Sequence, residues 1–166
     1  ACCASSPLLR NLAARGYADL WGIDFRLGSL EGLRHPAVRY LHADLARAPF
    51  PAASFDAVTC LSVIEHGCDL PEVFAEMARL LRPGGVLLVS TDYWPRRETT
   101  AFVPRRHTFG LPWRIFNRRD LARLAQAAAA AGLQRAGEWD PSAGERMVTW
   151  NGCRYTFFAF ELRKPR

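Results

Sequence analysis

The fold is decided by two neighbouring stretches of sequence, HADLARAPFPAASFDAVTCLSVIEH (42–66) and EVFAEMARLLRPGGVLLVST (72–91). The run FDAVTC (55–60) predicts a strand, and the spacing of apolar residues over 69–81 predicts a helix with one buried face. VLLVS (86–90) is a continuous apolar run, as expected of a strand buried on both faces. A strand, a helix and a second strand in this order indicate parallel strands with a covering helix.

The same alternation extends to both sides of these stretches. Two helices are predicted from their caps. The first begins at Ser6, with Pro7 in its first turn, and covers 6–15 before Gly16; the second is alanine-rich, begins at Asn117 and covers 117–131 before Gly132. The other predicted elements are strands over 18–24 and 38–42, a weaker strand over 133–139 and a final strand over 154–162. We therefore predict an α/β fold, with a mostly parallel sheet and flanking helices, as a single domain over 1–166.

Residues 93–116 interrupt this alternation with prolines, arginines and aromatic residues. Connections of this length in a compact domain often carry function. We therefore expect a first half over 1–92, a substrate-side loop or lid over 93–116, and a C-terminal helix with strands over 117–166.

The composition is that of an ordinary globular domain, since 49% of the 166 residues are hydrophobic and 23% are charged. No apolar run is long enough for a transmembrane helix, and the first residues lack the pattern of a signal peptide. The chain begins without Met, so we expect a fragment or a processed product. The five cysteines form no C-x-x-C pair and no zinc spacing, which predicts free thiols in a cytoplasmic protein and no metal site.

The net charge of +6 lies in one segment. Residues 93–119 contain seven arginines and one glutamate, and the rest of the chain is neutral. Such a patch suits an anionic small molecule, a nucleic acid or an acidic lipid head group. Because the chain has 21 Arg and one Lys, a solvated loop with a compositional bias explains the same pattern equally well.

Candidate ligand-binding residues follow three of the predicted strands. In open parallel sheets, ligands bind outside the carboxyl ends of the strands. Asp24 is placed to accept hydrogen bonds from both hydroxyls of a ribose, and Asp44-Leu45 to accept from an adenine amine and cover the ring. LSVIEH (61–66) follows the third strand. One Asp after a strand is more often a helix cap than a ligand residue, but residues at three successive strand ends are less expected by chance.

These motifs resemble the small-molecule type of class I (Rossmann-like) S-adenosylmethionine-dependent methyltransferases. That family also shows motifs of the kind Pro49-Phe50-Pro51, Ser54-Phe55-Asp56 and Arg82-Pro83-Gly84-Gly85. The resemblance covers residues 1–92 and implies S-adenosyl-L-methionine as cofactor, a last antiparallel strand, and O- or N-methylation of a small-molecule acceptor. The cofactor-binding residues it implies are Ala1, Cys3, Asp24, Phe25, Asp44, Leu45, Cys60, Leu61 and His66.

The resemblance has two departures at the N-terminus. The family's first strand and glycine-rich loop normally precede this region, and here ACCASSPLL resembles only the tail of that loop, with Ala1 and Cys3 in place of glycine. A Cβ at Cys3 narrows the approach of the backbone to the cofactor. A sheet without its central first strand has an unpaired gap, so we expect a lower melting temperature than for a chain with that strand restored.

His66 is the candidate catalytic base, because an imidazole suits proton removal from a hydroxyl or an amine near pH 7. The alternative is that Glu65 and His66 only shape the cofactor pocket. On the substrate side, aromatic walls and an anion-binding group are predicted from the 93–116 segment, with a hydrophobic cluster under a loop as the alternative. The residues proposed for it are Tyr93, Trp94, His107, Phe109, Trp113, Phe116, Arg105, Arg106 and Arg114.

Three other functions compete with this interpretation. A nicotinamide-dependent dehydrogenase would share Asp24, but it would also need an intact G-x-G-x-x-G and usually a Tyr-Lys pair, and neither is present. A nucleic-acid methyltransferase is suggested by the arginines of 93–119, although LSVIEH replaces the signature of amino-directed enzymes. A truncated binding module without turnover fits the altered first loop. The acceptor, its reactive atom, the oligomeric state and the pathway stay open.

Overall fold

A computed structural model of the chain describes residues 6–26, 35–96, 107–108 and 110–166, with only the backbone described at 107 and 108. The chain divides after Phe50 into two compact units. In the described part, no helix is both long and apolar enough to cross a membrane.

The first unit contains a short helix and a pair of strands. Its elements are α1 (Leu8–Ala14), β1 (Leu20–Asp24), β2 (Val38–His42) and the 3-10 helix Leu45–Arg47. β1 and β2 pair in parallel, with Asp24 opposite His42, so the carboxyl ends of both strands lie at one edge of the sheet. The predicted strand over 38–42 is confirmed, and β1 begins two residues later than predicted because Asp19 adopts a positive φ of 54°.

The start of α1 differs from the prediction. Pro7, and not Ser6, is the N-cap residue, while the Ser6 hydroxyl accepts a hydrogen bond from the Leu8 N–H at 3.3 Å. Gly16 follows the helix with a φ of +84°, a conformation that glycine adopts without steric cost.

The second unit is built on a mixed sheet. Its strands are β3 (Phe55–Leu61), β4 (Leu81–Tyr93), β5 (His107–Thr108), β6 (Leu111–Pro112), β7 (Gln134–Arg135), β8 (Val148–Trp150) and β9 (Cys153–Arg163). β3 and β4 are parallel, β9 lies antiparallel to β4, and the sheet order is β3-β4-β9-β7, with β8 also on β9. The predicted α/β fold, with parallel strands and a last antiparallel strand, is confirmed.

The helix α2 (Leu70–Leu80) returns the chain from β3 to β4 and packs on both strands. Asp69 caps its N-terminus by accepting a hydrogen bond from the Glu72 N–H at 3.1 Å. At its C-terminus, the Lys164 ammonium donates to the Ala78 and Leu81 carbonyls at 2.7 and 2.9 Å. This lysine satisfies carbonyls that a helix end leaves unpaired.

The Arg82-Pro83-Gly84-Gly85 turn joins α2 to the apolar part of β4 through an irregularity opposite Asp56. Gly84 has a φ of +80°. At Gly85, a Cβ would lie 2.8 Å from the Arg82 carbonyl oxygen and 3.1 Å from the Asp56 carbonyl oxygen. Both glycines are therefore required by the path of the backbone.

The C-terminal part of the unit begins with α3 (Arg118–Ala130), which packs on α2 and β7. Asn117 and Asp120 form a capping box, in which each side chain accepts a hydrogen bond from the other residue's backbone N–H. The predicted strand over 133–139 is much shorter, since β7 contains only Gln134 and Arg135. β8 was missed because its three residues offer too little periodicity to identify a strand.

Candidate functional site

The carboxyl end of β1 carries a buried carboxylate. Asp24 is 1% exposed, and its Oδ1 accepts a hydrogen bond from the Arg26 N–H at 3.0 Å. Its Oδ2 is also buried, and it has no hydrogen-bond donor among the described residues. Burial of an unsatisfied carboxylate oxygen costs roughly 1–3 kcal/mol or more, so this atom favours a ligand that brings a donor.

The carboxyl end of β2 carries Asp44, which is exposed and has a local structural role. Its Oδ1 accepts a hydrogen bond from the Ala46 N–H at 2.9 Å and so caps the 3-10 helix. Leu45 is buried in the first unit and does not present an open apolar surface. Phe25 is 46% exposed, and its carbonyl oxygen lies 2.6 Å from the His42 Nε2. Of the predicted cofactor contacts described in this unit, Asp24 is the only one whose surroundings in the described part call for a ligand.

In the second unit, the loop after β3 begins with a residue that is hydrogen-bonded to β4. Ser62 adopts a φ of +51°, and its N–H donates to the Ser90 carbonyl at 3.0 Å. Cys60 is completely buried, and burial raises the pKa of its thiol to about 12. Leu61 and His66 are half-buried. Their predicted contacts with a cofactor, and the role of His66 as a base, stay predictions.

A buried polar cluster lies at these strand ends. Glu65 is 1% exposed and Asp92 is 4% exposed. The Trp113 indole N–H donates to the Asp92 Oδ2 at 2.8 Å, and the Thr91 hydroxyl approaches the Glu65 Oε2 at 3.4 Å. The Tyr155 hydroxyl also donates a hydrogen bond to Asp92. Two buried carboxyl groups therefore meet one indole and one phenol at the edge of the sheet where ligands bind in such folds.

The two carboxyl groups of this cluster resist ionisation. Burial, followed by the charge of Asp92, raises the pKa of Glu65 to about 8, although hydrogen bonds from the backbone and from Thr91 oppose the shift. Burial also raises the pKa of Asp92, against the hydrogen bonds from Trp113 and Tyr155. Because the charge of Asp92 is one of the causes that raise the pKa of Glu65, the negative charge is favoured on Asp92 and the proton on Glu65.

Sequence reasoning missed Asp92, although a signal for it exists. Asp92 stands at the carboxyl end of β4 as Asp24 does at the end of β1, directly after the apolar run over 86–90. Tyr155 carried no such signal, because its place near Asp92 depends on the antiparallel pairing of β9 with β4.

The described residues predicted to form aromatic walls lie in the interior. Tyr93 is 1% exposed and donates its hydroxyl to the Pro141 carbonyl at 2.7 Å, and Phe116 is fully buried. Trp113 packs with Ile115 and Tyr155 in a small hydrophobic cluster. In this conformation none of the three forms an open wall, because each side chain fills the core of its own unit. This arrangement is the cluster that the sequence left open as the alternative.

The other substrate-side candidates are distributed differently. Trp94 is half-buried, with the Arg146 guanidinium 4.2 Å from its ring centre. Arg114 stacks over Phe116 at 4.3 Å and lies 3.5 Å from the Asp120 carboxylate. His107 belongs to β5, and its backbone pairs with Pro112. The predicted residues Ala1, Cys3, Arg105, Arg106 and Phe109 lie outside the described residues.

Comparisons with known proteins show the family to which the chain belongs. A family model described as a methyltransferase domain matches residues 1–89. A probable S-adenosylmethionine-dependent methyltransferase of Mycolicibacterium smegmatis is 37% identical over 145 residues, which cover 80% of this chain and 53% of that protein. A demethylmenaquinone methyltransferase of Deinococcus radiodurans is 34% identical over 93 residues, which cover 56% of this chain and 35% of that protein. The chain thus spans about half or less of the length of these relatives.

Solved structures show the same fold. The [4+2]-cyclase SpnF matches with a TM-score of 0.71 and 20% identity, over 99% of this chain and 72% of that chain. A geranyl diphosphate C-methyltransferase from Streptomyces coelicolor, in complex with Mg²⁺, geranyl diphosphate and S-adenosyl-L-homocysteine, matches with a TM-score of 0.65 and 18% identity. That match covers 93% of this chain and 66% of the other. At these identities the likeness establishes the fold alone.

Proposed function

We propose that this chain, which belongs to the methyltransferase domain family, takes part in methyl transfer from S-adenosyl-L-methionine to a small-molecule acceptor. The observation that carries the proposal is the buried Asp24 Oδ2, which lacks a hydrogen-bond donor among the described residues. A ribose brings two adjacent hydroxyl donors, and a carboxylate at the end of a strand is suited to accept them.

The residues of the first unit fit the adenosine part of this cofactor to different degrees. We assign the ribose hydroxyls to Asp24, because one of its oxygens is already held by the Arg26 N–H while the other lacks a described donor. Asp44 is assigned to the adenine amine through its exposed carboxylate, although its Oδ1 caps the 3-10 helix. Phe25 and Leu45 are assigned to the faces of the adenine ring, and Leu45 would have to become more exposed to take this role.

We assign the removal of the acceptor's proton to a residue of the second unit. When bound, S-adenosyl-L-methionine supplies an electrophilic methyl group on its sulfonium. Methylation of a hydroxyl or an amine releases a proton, and we assign its removal to the imidazole of His66, in the loop after β3. Cys60 and Leu61 border the same loop, and Cys60 contributes as an apolar residue because burial holds the pKa of its thiol at about 12.

The acceptor is proposed to be a small molecule. The names of relatives support this class, since they include a demethylmenaquinone methyltransferase and a ubiquinone biosynthesis O-methyltransferase. An anionic acceptor would depend on Arg114, whose side chain is 45% exposed and whose guanidinium lies 3.5 Å from the Asp120 carboxylate.

The test is isothermal titration of the chain with S-adenosyl-L-homocysteine, the product form of the cofactor. We expect micromolar binding that weakens about 10-fold to 100-fold in Asp24→Asn, because a hydrogen bond to a charged group contributes about 1.5–3 kcal/mol. Asp19→Asn is the matched control, since Asp19 is an exposed carboxylate of the same unit that pairs with Arg39 at 2.9 Å. Undiminished binding by a folded Asp24→Asn variant would refute the assignment.

A further inference from the structure

A short segment, Gly110–Phe116, forms backbone hydrogen bonds with residues at the carboxyl ends of β3 and β4. The Arg114 N–H donates to the Glu65 carbonyl at 3.1 Å, and the Phe116 N–H donates to the Asp92 carbonyl at 2.9 Å. Phe116 also accepts from the Trp94 N–H at 2.9 Å. The segment therefore depends on Glu65 and Asp92 for two of its main-chain hydrogen bonds.

Two further interactions connect the same segment to these strand ends. The Trp113 indole N–H donates to the Asp92 carboxylate at 2.8 Å, and this hydrogen bond is buried. At Gly67 a Cβ would lie 3.3 Å from the ring of Pro112, so the loop after β3 and the segment are in close contact. Glu65 and Asp92 thus each supply a main-chain acceptor, and Asp92 also supplies a side-chain acceptor.

We propose that Glu65 and Asp92 are positioning residues that hold the Gly110–Phe116 segment against the ends of β3 and β4, and that this hold requires the pair to carry a single negative charge. The inference rests on the proposed methyl transfer, since these strand ends are where we expect the acceptor. Neither carboxyl group needs to touch the acceptor for this role. The segment they hold would form one side of its binding surface.

The physical reason lies in burial and in the repulsion between two negative charges. Trp113 and Tyr155 both donate to Asp92, which stabilises its negative charge. Glu65 accepts hydrogen bonds from the backbone and from the Thr91 hydroxyl, but burial and the charge of Asp92 outweigh these donors. A second charge on Glu65 is therefore disfavoured, because the first charge repels it in a buried environment of low polarity.

Among the described residues, the groups that interact with Glu65 include no cation to compensate its charge. From β4 these groups are Thr91 and Asp92. Tyr155 of β9 and Cys60 of β3 interact with Glu65 electrostatically. In the part of the chain that the structure describes, the groups that shift the pKa of Glu65 include no lysine, arginine or histidine. Ionisation of Glu65 above pH 8 is therefore expected to loosen the segment.

The test is hydrogen–deuterium exchange, with protection factors measured for peptides that cover residues 110–116 between pH 6.5 and pH 9.5. For the wild-type chain we expect protection to fall at least 10-fold across this range, while a peptide within α3 changes little. Glu65→Gln keeps the shape but cannot ionise, so its protection should stay constant with pH. Glu138→Gln, at an exposed acid of the same unit, is the matched control and should behave as the wild type does.

A third variant distinguishes the attachment of the Gly110–Phe116 segment from the general stability of the unit. Trp113→Phe keeps the aromatic ring in its cluster but removes the donor to Asp92, so it should lower the protection of residues 110–116 at every pH. A parallel fall in the wild type and Glu65→Gln, or constant protection in both, would overturn the inference.

The measurement needs no cofactor, so it is independent of the titration with S-adenosyl-L-homocysteine. Binding without the pH response would overturn only the present inference. A pH-dependent fall in the protection of residues 110–116 without binding of S-adenosyl-L-homocysteine would overturn the proposed function. It would support the role of Glu65 and Asp92 in positioning the segment.

Discussion

Glu65→Gln tests the energetic cost of the buried acid directly. The pKa of Glu65 is raised from 4.5 to about 8 in the folded chain, chiefly by burial and then by Asp92. The folded state therefore binds the Glu65 proton more tightly than the unfolded state does, so the contribution of Glu65 to stability is fully present below pH 4.5 and is lost as the pH rises from 4.5 to 8. Each unit of pH in this window costs about 1.4 kcal/mol.

Between pH 5 and pH 8 the free energy of unfolding of the wild type should fall by about 3.5 kcal/mol relative to that of Glu65→Gln. The comparison uses the change between two pH values, so any constant cost of burying the glutamine amide cancels. The assay is urea unfolding followed by circular dichroism at both pH values. Glu138→Gln, which removes an exposed charge of the same unit, is the control and should shift by less than about 0.5 kcal/mol. A wild type and a Glu65→Gln variant with equal pH dependence would refute the reasoning.

Three further predictions follow from local geometry. Gly85→Ala should lower the free energy of unfolding by about 2 kcal/mol in denaturant titration, because the new Cβ would lie 2.8 Å from the Arg82 carbonyl oxygen; an unchanged midpoint would show that the turn can shift. Asn117→Ala should cost about 1 kcal/mol by the same measurement, because it removes the capping box with Asp120, and rescue by Asn117→Ser would confirm the cap. Cys60 should not react with a thiol reagent at pH 8 in the native chain, because burial raises the pKa of its thiol to about 12; labelling of Cys60 at the rate of Cys68 would contradict its burial.

The order of elements could be predicted because it depends on local patterns. The apolar run at 55–60, the helix after Asp69 and the apolar run over 86–90 each carry their own periodicity and caps. The start of α3 was predicted from Asn117, and the structure shows the capping box there. The ends of elements were predicted less accurately. β4 continues beyond the predicted end at Ser90 to Tyr93, because Thr91, Asp92 and Tyr93 pair with β9, a strand far away in sequence.

The 93–116 segment shows where local patterns were insufficient. Its prolines, arginines and aromatic residues indicated a loop, and a loop carrying aromatic residues suits either a binding wall or a cluster. The structure places Trp113, Ile115 and Tyr155 together, and Tyr155 comes from a strand about 40 residues later. The pairing of β9 with β4, which brings Tyr155 to Trp113, is what distinguishes a buried cluster from an exposed wall.

For this protein, the sequence alone determined the α/β class, the order of the longer strands and helices, and Asp24 as a candidate ligand residue at a strand end. These conclusions depend on residues close together in the chain, where spacing and caps act. The tertiary structure alone decided that Asp24 has a buried oxygen without a described donor, and that Glu65 and Asp92 meet Trp113 and Tyr155. Burial and charge interaction depend on all the neighbours in space, and parallel and antiparallel pairing brings those neighbours from distant parts of the chain.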